Sequence, residues 1–330
     1  MTYQNHNNSQ KKKYQLPKIK VIPIKFFTPR DLKIFITASP ENIDVESVSS
    51  DADEIVEFRS LWWEKGIFHP KAKWEEEKLP YTLVKSVSLE EYELRVDKFN
   101  VHGCWDWKEN KVIVYEWPSK VHETIIGELT YQILRQFDAI HGTPAHMSSM
   151  GAVRTRADNT GHESDATFRP PKPPVRPPHG SDGEDEPWPN VVLEVAYSES
   201  EGDVLKKVQQ FWLKNHSRVH DVIVVKIDYV APGETPTRMQ AWHFCVSDRT
   251  RNADIVARTY FEFGTHDQNG RPLNIQQGTC VININLDCFY HGTFPRITIP
   301  RNQVPDPIQL DFLLLRNCFL RASASIRMGF

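Results

Sequence analysis

The sequence predicts a mixed α/β fold in which a mixed central β-sheet is flanked by helices. Three successive segments carry this prediction: the apolar run NVVLEVAYS, the amphipathic run DVLKKVQQFWLKN and the apolar run DVIVVKID. A near-continuous apolar strand is typical of a sheet that is covered on both faces. Strand, helix and strand in close succession form a βαβ unit, so we expect part of the sheet to be parallel.

Start and turn signals define the other elements. Ser88 and Glu91 form a capping box, which predicts that a short helix begins after Ser88. The next segment alternates on both sides of a turn at residues 108–111, and this pattern predicts a β-hairpin. An amphipathic helix follows, with an apolar stripe at Ile125, Leu129, Ile133 and Phe137. We expect one short strand at HESDATFRP and further strands at RMQAWHFCV and GTCVININLDCFY.

Composition divides the chain into five parts. Residues 1–30 are basic, which is typical either of a disordered tail or of an arm for phosphate contact or nuclear import. Residues 31–84 form an extension without an assigned role, and residues 85–300 form the α/β domain. Within that domain, residues 169–189 are rich in proline and acidic residues, so we expect a disordered insertion, with an SH3-type ligand as the alternative. Residues 301–330 are expected to end the chain with a helix, IQLDFLLLRNCFLRA, docked on the core.

Charge and cysteine usage limit the class of protein. The 330 residues carry a formal net charge of -3, which excludes a strongly basic nucleic-acid binder but not a local basic field. The five cysteines are dispersed without a CxxC pair, as in reduced thiols of an intracellular protein, so we expect the nucleus or the cytoplasm. Apolar runs stay well short of the roughly 18 residues that span a bilayer, so we expect no membrane partner. The oligomeric state stays open.

Two acidic residues in neighbouring predicted strands are candidate metal ligands. Mg²⁺ requires oxygen ligands, usually from one or two carboxylates, and can then activate water against a phosphodiester. Asp165 belongs to the first strand, and Glu194 lies between Leu193 and Val195 in the second. A carboxylate inside an apolar strand is costly unless it is paired or binds a metal. Taken alone, an acid such as Glu194 is more often a salt-bridged or strand-end residue, and Asp165 alone is still more readily explained as a solvated turn residue.

A lysine in the following helix completes the candidate site. Lys207 shares a helical face with Val204, Val208 and Phe211, so its side chain should point toward the sheet and Glu194. Lys206 belongs instead to the solvated face. A lysine on an apolar stripe either extends its amine to solvent or meets a buried acid.

The remaining signals are weaker. His216 and His220 have the spacing of half a zinc site, but no HExxH motif is present, which favours surface histidines at a helix end. Five tryptophans could stack on bases, although packing in the core or against a partner explains them better: Trp62, Trp63, Trp74, Trp105 and Trp107. Glycine-rich phosphate loops of the GxGxxG and GxxxxGK[ST] types are absent from the sequence.

The order of these motifs resembles the family named putative restriction endonuclease, which belongs to the PD-(D/E)XK nuclease superfamily. The resemblance covers residues 85–300 and consists of SLEEY, a hairpin, a helix opened by His122, SDATF, LEVAYS, DVLKKVQQFW and DVIVVKID. The family has a Pro-Asp strand, a Glu-Val-x-Ser strand and a lysine displaced into the next helix. Asp165, Glu194 and Lys207 fall on these positions, with Ser164 in place of the proline.

The resemblance implies a restriction-endonuclease-like core and an endonuclease that hydrolyses phosphodiester bonds of DNA. RNA is an alternative substrate. It implies Mg²⁺ or Mn²⁺ at Asp165 and Glu194, catalysis by these acids and Lys207, and supporting roles for His122, Asp203 and Asp106. The alternative is an inactive nuclease-like fold that binds nucleic acid or another protein. The acidic net charge and Ser164 favour that alternative.

Overall fold

A six-stranded, a five-stranded and a two-stranded β-sheet, with helices packed against them, make up the described part of the protein. The computed structural model describes residues 61–68, 79–101, 103–117, 119–157, 160–175, 187–214, 219–230, 234–250 and 255–327. All of them belong to the compact unit Ser49–Phe330. The basic tail predicted at residues 1–30 and most of the 31–84 extension lie outside these ranges, as do Trp74 and His216.

The strands of the described residues, in chain order, are β1 Tyr81–Lys85, β2 Asp106–Lys108, β3 Lys111–Val114, β4 Ser148–Ser149, β5 Arg154–Ala157, β6 Thr160–Glu163, β7 Ala166–Arg169, β8 Val191–Ala196, β9 Asp221–Ile227, β10 Met239–Arg249, β11 Ile255–Glu262, β12 Val281–Ile284 and β13 Ile308–Asp311. The helices are α1 Leu89–Phe99, α2 Lys120–Leu134, α3 Glu201–Lys207, α4 Leu286–Phe289 and α5 Phe312–Arg327. A 3-10 helix, Arg135–Ile140, continues α2, and a π-helical turn, Val208–Trp212, continues α3.

The six-stranded sheet has the order β11-β10-β9-β8-β7-β4, and its β8 and β9 are parallel while the other pairs are antiparallel. Its two faces belong to different apolar cores, one packed by α2 and α5 and the other by α3. The second sheet, β1-β3-β2-β6-β5, is antiparallel and packs with α1. The predicted mixed α/β class, with a mixed central sheet flanked by helices, is confirmed.

Local signals explain why several elements form where they do. The Ser88 hydroxyl accepts a hydrogen bond from the Glu91 backbone N–H at 3.1 Å, so α1 begins at its predicted cap. The β2–β3 hairpin turns through Glu109 and Asn110, which both have positive φ, as a tight hairpin turn requires. All residues of β8 are buried, as expected for a central strand. Four of the five tryptophans named above, Trp62, Trp63, Trp105 and Trp107, pack in the core of the five-stranded sheet region.

Three elements differ from the prediction. HESDATFRP is not one strand: it breaks after β6, and β7 joins the other sheet. The last apolar segment starts as β13, because Ile308 and Leu310 alternate with exposed neighbours and pair with β12, and the helix begins only afterwards. The segment predicted as a disordered insertion has ordered ends, since Trp188 is fully buried against Phe211. The centre of that insertion, residues 176–186, lies outside the described ranges.

Helices of the described residues are all too short or too polar to cross a membrane.

Candidate functional site

A small acidic cavity lies where the two sheets meet. Its volume is about 20 Å³, which is room for about one water molecule. The five-stranded sheet region and the six-stranded sheet region both contribute to its wall. The lining residues are Gly103, Cys104, Asp106, Tyr115, Glu116, Glu163, Asp165, Glu194, Val195, Glu199 and Lys207. All three residues predicted to carry the chemistry, Asp165, Glu194 and Lys207, are therefore brought to one cavity.

Glu194 reaches the cavity because of the two-residue period of β8. Leu193 and Val195 point into the core under α2, whereas Glu194 points to the side of α3. Its side chain is only 3% exposed. One carboxylate oxygen, Oε2, lies 3.2 Å from the Lys207 ammonium, and the other, Oε1, accepts a hydrogen bond from the Trp212 indole at 2.6 Å. Burial raises the pKa of Glu194 to about 8; Lys207 opposes this shift, and the surrounding acids add to it.

Asp165 lies at the break between β6 and β7 rather than inside a strand. Its Oδ2 accepts a hydrogen bond from the Val195 backbone N–H at 2.6 Å. The β7–β8 ladder ends at the pair Ala166 and Leu193. Just beyond that pair, the Asp165 side chain replaces a β7 backbone carbonyl as the acceptor for a β8 backbone N–H. The other oxygen, Oδ1, lies 3.3 Å from Nε2 of His122. The break therefore serves to hold the Asp165 carboxylate at the cavity.

Lys207 points toward the sheet, in the orientation predicted from its helical face, while Lys206 is exposed. Its ammonium lies 3.2 Å from Glu194 and 3.4 Å from Glu199. Burial lowers the pKa of Lys207, but the surrounding carboxylates outweigh burial and raise it well above the usual value. The neighbouring carboxylates therefore favour the charged form of Lys207. The π-helical turn begins directly after it, and such turns are frequent at functional sites.

Glu199 is a cavity residue that the sequence reasoning missed. It follows β8 in the loop that leads to α3, and the Glu116 carboxylate holds this loop by accepting the backbone N–H groups of Tyr197, Ser198 and Glu199 at 2.7–2.9 Å. Burial raises the pKa of Glu199 to about 7, against the opposing charge of Lys207. Its Oε1 is buried and has no hydrogen-bond partner among the described residues. The sequence offered one signal for this residue: an acid that follows a central strand within three residues, in LEVAYSE.

The three supporting residues have different positions. Asp106 lines the cavity, and its Oδ2 lies 2.7 Å from Nδ1 of His162. Burial raises the pKa of Asp106, but the neighbouring His162 and Lys207 lower it below its usual value. His122 lines an adjoining cavity beside Asp165, whose charge raises the pKa of His122 against the effect of burial. Asp203 does not line either cavity; its carboxylate accepts a hydrogen bond from the Ser200 hydroxyl at 2.7 Å in the first turn of α3.

The charges of the cavity suit a divalent cation. Six of the lining residues are acids, and Lys207 is the single lysine or arginine that lines the described cavity. Carboxylate oxygens are the ligands that Mg²⁺ and Mn²⁺ prefer. The Oε1 of Glu199 is buried without a hydrogen-bond partner among the described residues. Burial, together with the neighbouring acids, raises the pKa values of Glu194 and Glu199, and a bound cation would oppose that effect. The residues present therefore fit the predicted cation.

Comparison with known proteins adds little to this picture. No protein-family model and no curated protein matches the chain. A protein from Anabaena variabilis ATCC 29413, described as a putative nuclease belonging to DUF820, has a crystal structure similar to 48% of this chain and 76% of its own, with 14% identity and a TM-score of 0.31. That likeness is too weak to carry an activity from one protein to the other. The family resemblance of the motifs therefore stays an expectation.

Proposed function

We propose that the acidic cavity is the active site of a divalent-cation-dependent phosphodiesterase, an endonuclease that acts on DNA. One observation carries the proposal: Asp165, Glu194 and Lys207, from three separate elements, line the same small cavity. Each of them alone has an ordinary structural explanation. Together they provide two oxygen ligands and one fixed cation, which are the groups that hydrolysis of a phosphodiester needs.

Asp165 and Glu194 would hold Mg²⁺ or Mn²⁺, with Glu199 as a further carboxylate. When bound, the cation supplies an activated water and stabilises the negative charge that develops on the phosphate. Without a cation, the ionised carboxylates that line the cavity would repel a phosphate group. The proposed activity therefore depends strictly on the cation.

Lys207 would neutralise phosphate charge and orient the attacking water. Since its pKa is raised, the ammonium keeps its proton and does not act as a base. His122 would position Asp165 through the 3.3 Å contact with its Oδ1.

The test is cleavage of supercoiled plasmid DNA by the purified full-length chain with Mg²⁺ or Mn²⁺, with and without EDTA. Wild-type protein should nick the plasmid only in the presence of the cation. Asp165→Ala and Glu194→Ala should remove that activity, whereas Asp203→Ala should retain it. A parallel assay with single-stranded RNA decides between the two nucleic acids. Cleavage that survives in both acid variants would overturn the assignment.

An inactive fold that serves as a binding module is the second candidate, and the contacts of Glu194 favour it. Both oxygens of this carboxylate already have partners, Lys207 and Trp212. In this case, calorimetric titration with Mn²⁺ would show no binding to the wild-type protein. A competent site would bind Mn²⁺ and lose that binding on Glu194→Ala.

A further inference from the structure

A second group of metal-ligating side chains lies outside the acidic cavity. One ligand atom from each of His220, Asp221, Cys245 and Cys288 can be chosen so that all four lie within 4.8 Å of one another. Asp221, Cys245 and Cys288 are buried, and His220 is partly buried. The four residues come from distant parts of the chain. His220 and Asp221 stand at the start of β9, Cys245 on β10 and Cys288 in α4.

The fold brings these residues together by strand pairing and by packing of α4. Asp221 is the register partner of Cys245 in the β9–β10 ladder. The Asn190 side-chain amide, just before β8, donates to the backbone carbonyls of Cys288 and His291 at 3.3 and 2.8 Å. The Asn190 carbonyl in turn accepts the backbone N–H of His220 at 2.8 Å. The backbone therefore holds the cluster in place independently of its side chains.

The distances within the cluster approach those of a tetrahedral zinc site. Zn²⁺ binds nitrogen at about 2.0–2.1 Å and sulfur at about 2.3 Å, so two of its ligands are separated by roughly 3.3–3.8 Å. Sγ of Cys245 lies 3.6 Å from Nδ1 of His220. The same Nδ1 lies 2.7 Å from Oδ2 of Asp221, a hydrogen-bonded contact that would open slightly around a metal. We propose that His220, Asp221, Cys245 and Cys288 bind one Zn²⁺ ion.

The chemistry of the ligands selects zinc over the cation of the acidic cavity. Two thiolates are soft ligands and disfavour Mg²⁺, whereas Cys and His together are typical of zinc. Four protein ligands leave no open position, which is characteristic of a structural site. The ion would join β9, β10 and α4, and thus the sheet to the C-terminal part of the chain.

Neighbouring side chains orient the ligands in the way that metal sites require. His243, which is fully buried, lies with its Nε2 2.6 Å from Oδ1 of Asp221, the oxygen not used in the cluster. The Ser247 hydroxyl lies 3.0 Å from Sγ of Cys245.

The first experiment uses the wild-type full-length chain. Protein purified under reducing conditions is stripped of metal and titrated with Co²⁺, which reports tetrahedral thiolate coordination through charge-transfer and visible absorption bands. We expect the thiolate bands to saturate at one Co²⁺ per chain and to be lost when Zn²⁺ displaces that ion. Zn²⁺ should also protect Cys245 and Cys288 from alkylation while Cys318, which lies outside both sites, remains unprotected. Absence of the thiolate bands, or a Cys245–Cys288 disulfide in the protein as isolated, would overturn the proposal.

Variants then identify the ligands. Cys245→Ser and Cys288→Ser should each lose the cobalt charge-transfer bands, and Cys280→Ser is the matched control because Cys280 is a buried thiol outside the cluster. Loss of the bands in Cys280→Ser but not in Cys288→Ser would contradict the assignment. If a serine variant fails to fold, alkylation of the wild-type protein with and without Zn²⁺ still tests whether Cys245 and Cys288 bind the ion. Glu194→Ala should keep the bands, which separates this site from the acidic cavity.

Discussion

The acidic cavity and the Cys–His cluster occupy different ends of the same two parallel strands. Glu194 lies near the end of β8. Asp221 lies at the start of β9, where it is the register partner of Val191, the first residue of β8. Three residues of strand, about 10 Å, separate the two levels. At the end with Glu194, carboxylates surround a lysine. At the end with Asp221, two thiols, an imidazole and a single carboxylate lie together. One sheet thus presents a hard ligand set at one end and a soft ligand set at the other.

The largest expected effect tests whether the two sites are independent. Glu194→Ala should reduce cation-dependent DNA cleavage by more than about 100-fold, since loss of a group that merely orients a ligand already costs roughly 10–100-fold. The cobalt–thiolate absorption of the same variant should be unchanged. Cys288→Ser should show the opposite result, with the absorption lost and the cleavage rate per folded molecule retained. A variant that loses both properties while folded would mean that the sites are coupled.

A smaller effect on DNA cleavage is expected when Lys207, the lysine of the acidic cavity, is replaced. Lys207→Met removes a charged hydrogen bond worth about 1.5–3 kcal/mol, so cleavage should fall by about 10- to 100-fold. Lys206→Met is the matched control, because Lys206 is the exposed neighbour on the same helix. Cleavage rates of the two variants at saturating Mn²⁺ give the comparison. Equal rates in Lys206→Met and Lys207→Met would remove Lys207 from the mechanism.

The acidic cavity should also make stability depend on pH. Burial raises the pKa of Glu194 to about 8 and that of Glu199 to about 7, from 4.5, with Lys207 opposing both shifts. Because these carboxyls ionise less readily in the folded chain, their contribution is fully present below the unfolded pKa and is lost as pH rises toward 7 and 8. Glu199→Gln should therefore raise the unfolding free energy by roughly 1–3 kcal/mol at about pH 8 and by little at about pH 4.

Chemical denaturation at the two pH values measures this difference. Mn²⁺ should restore stability to the wild-type protein at the higher pH, because a bound cation favours the ionised acids. The same addition should have less effect on Glu199→Gln. A wild-type unfolding free energy that rises steadily between the two pH values would show that Glu194 and Glu199 ionise normally.

The smallest effect serves as a control for both sites. Ser88→Ala removes the hydroxyl that caps α1 and should cost about 1 kcal/mol of stability. Neither the cleavage rate nor the cobalt absorption of the folded protein should change. Thermal unfolding and the two site assays on one preparation make the check. A loss of cleavage here would show that the assay reports global stability rather than the cavity.

Local signals in the sequence determined much of the fold around the site. The capping box at Ser88, the hairpin turn, and the apolar runs of β8 and β9 predicted elements that the structure contains, because caps, turns and side-chain periods depend on neighbouring residues. The helical face of Lys207 likewise predicted its direction toward Glu194. Asp165 was identified as a candidate, but its position at a break between two sheets was not, since such a break depends on which strand each half joins.

By itself, then, the sequence determined the mixed α/β class, the parallel β8–β9 pair and the side of α3 that carries Lys207. Tertiary structure alone decided that Glu199 and Glu116 complete the wall of the acidic cavity, and that His220, Cys245 and Cys288 meet. The physical reason is that a periodic pattern reports which face a side chain occupies within its own element. Which distant element covers that face is set by strand order and helix packing, and these depend on the whole chain.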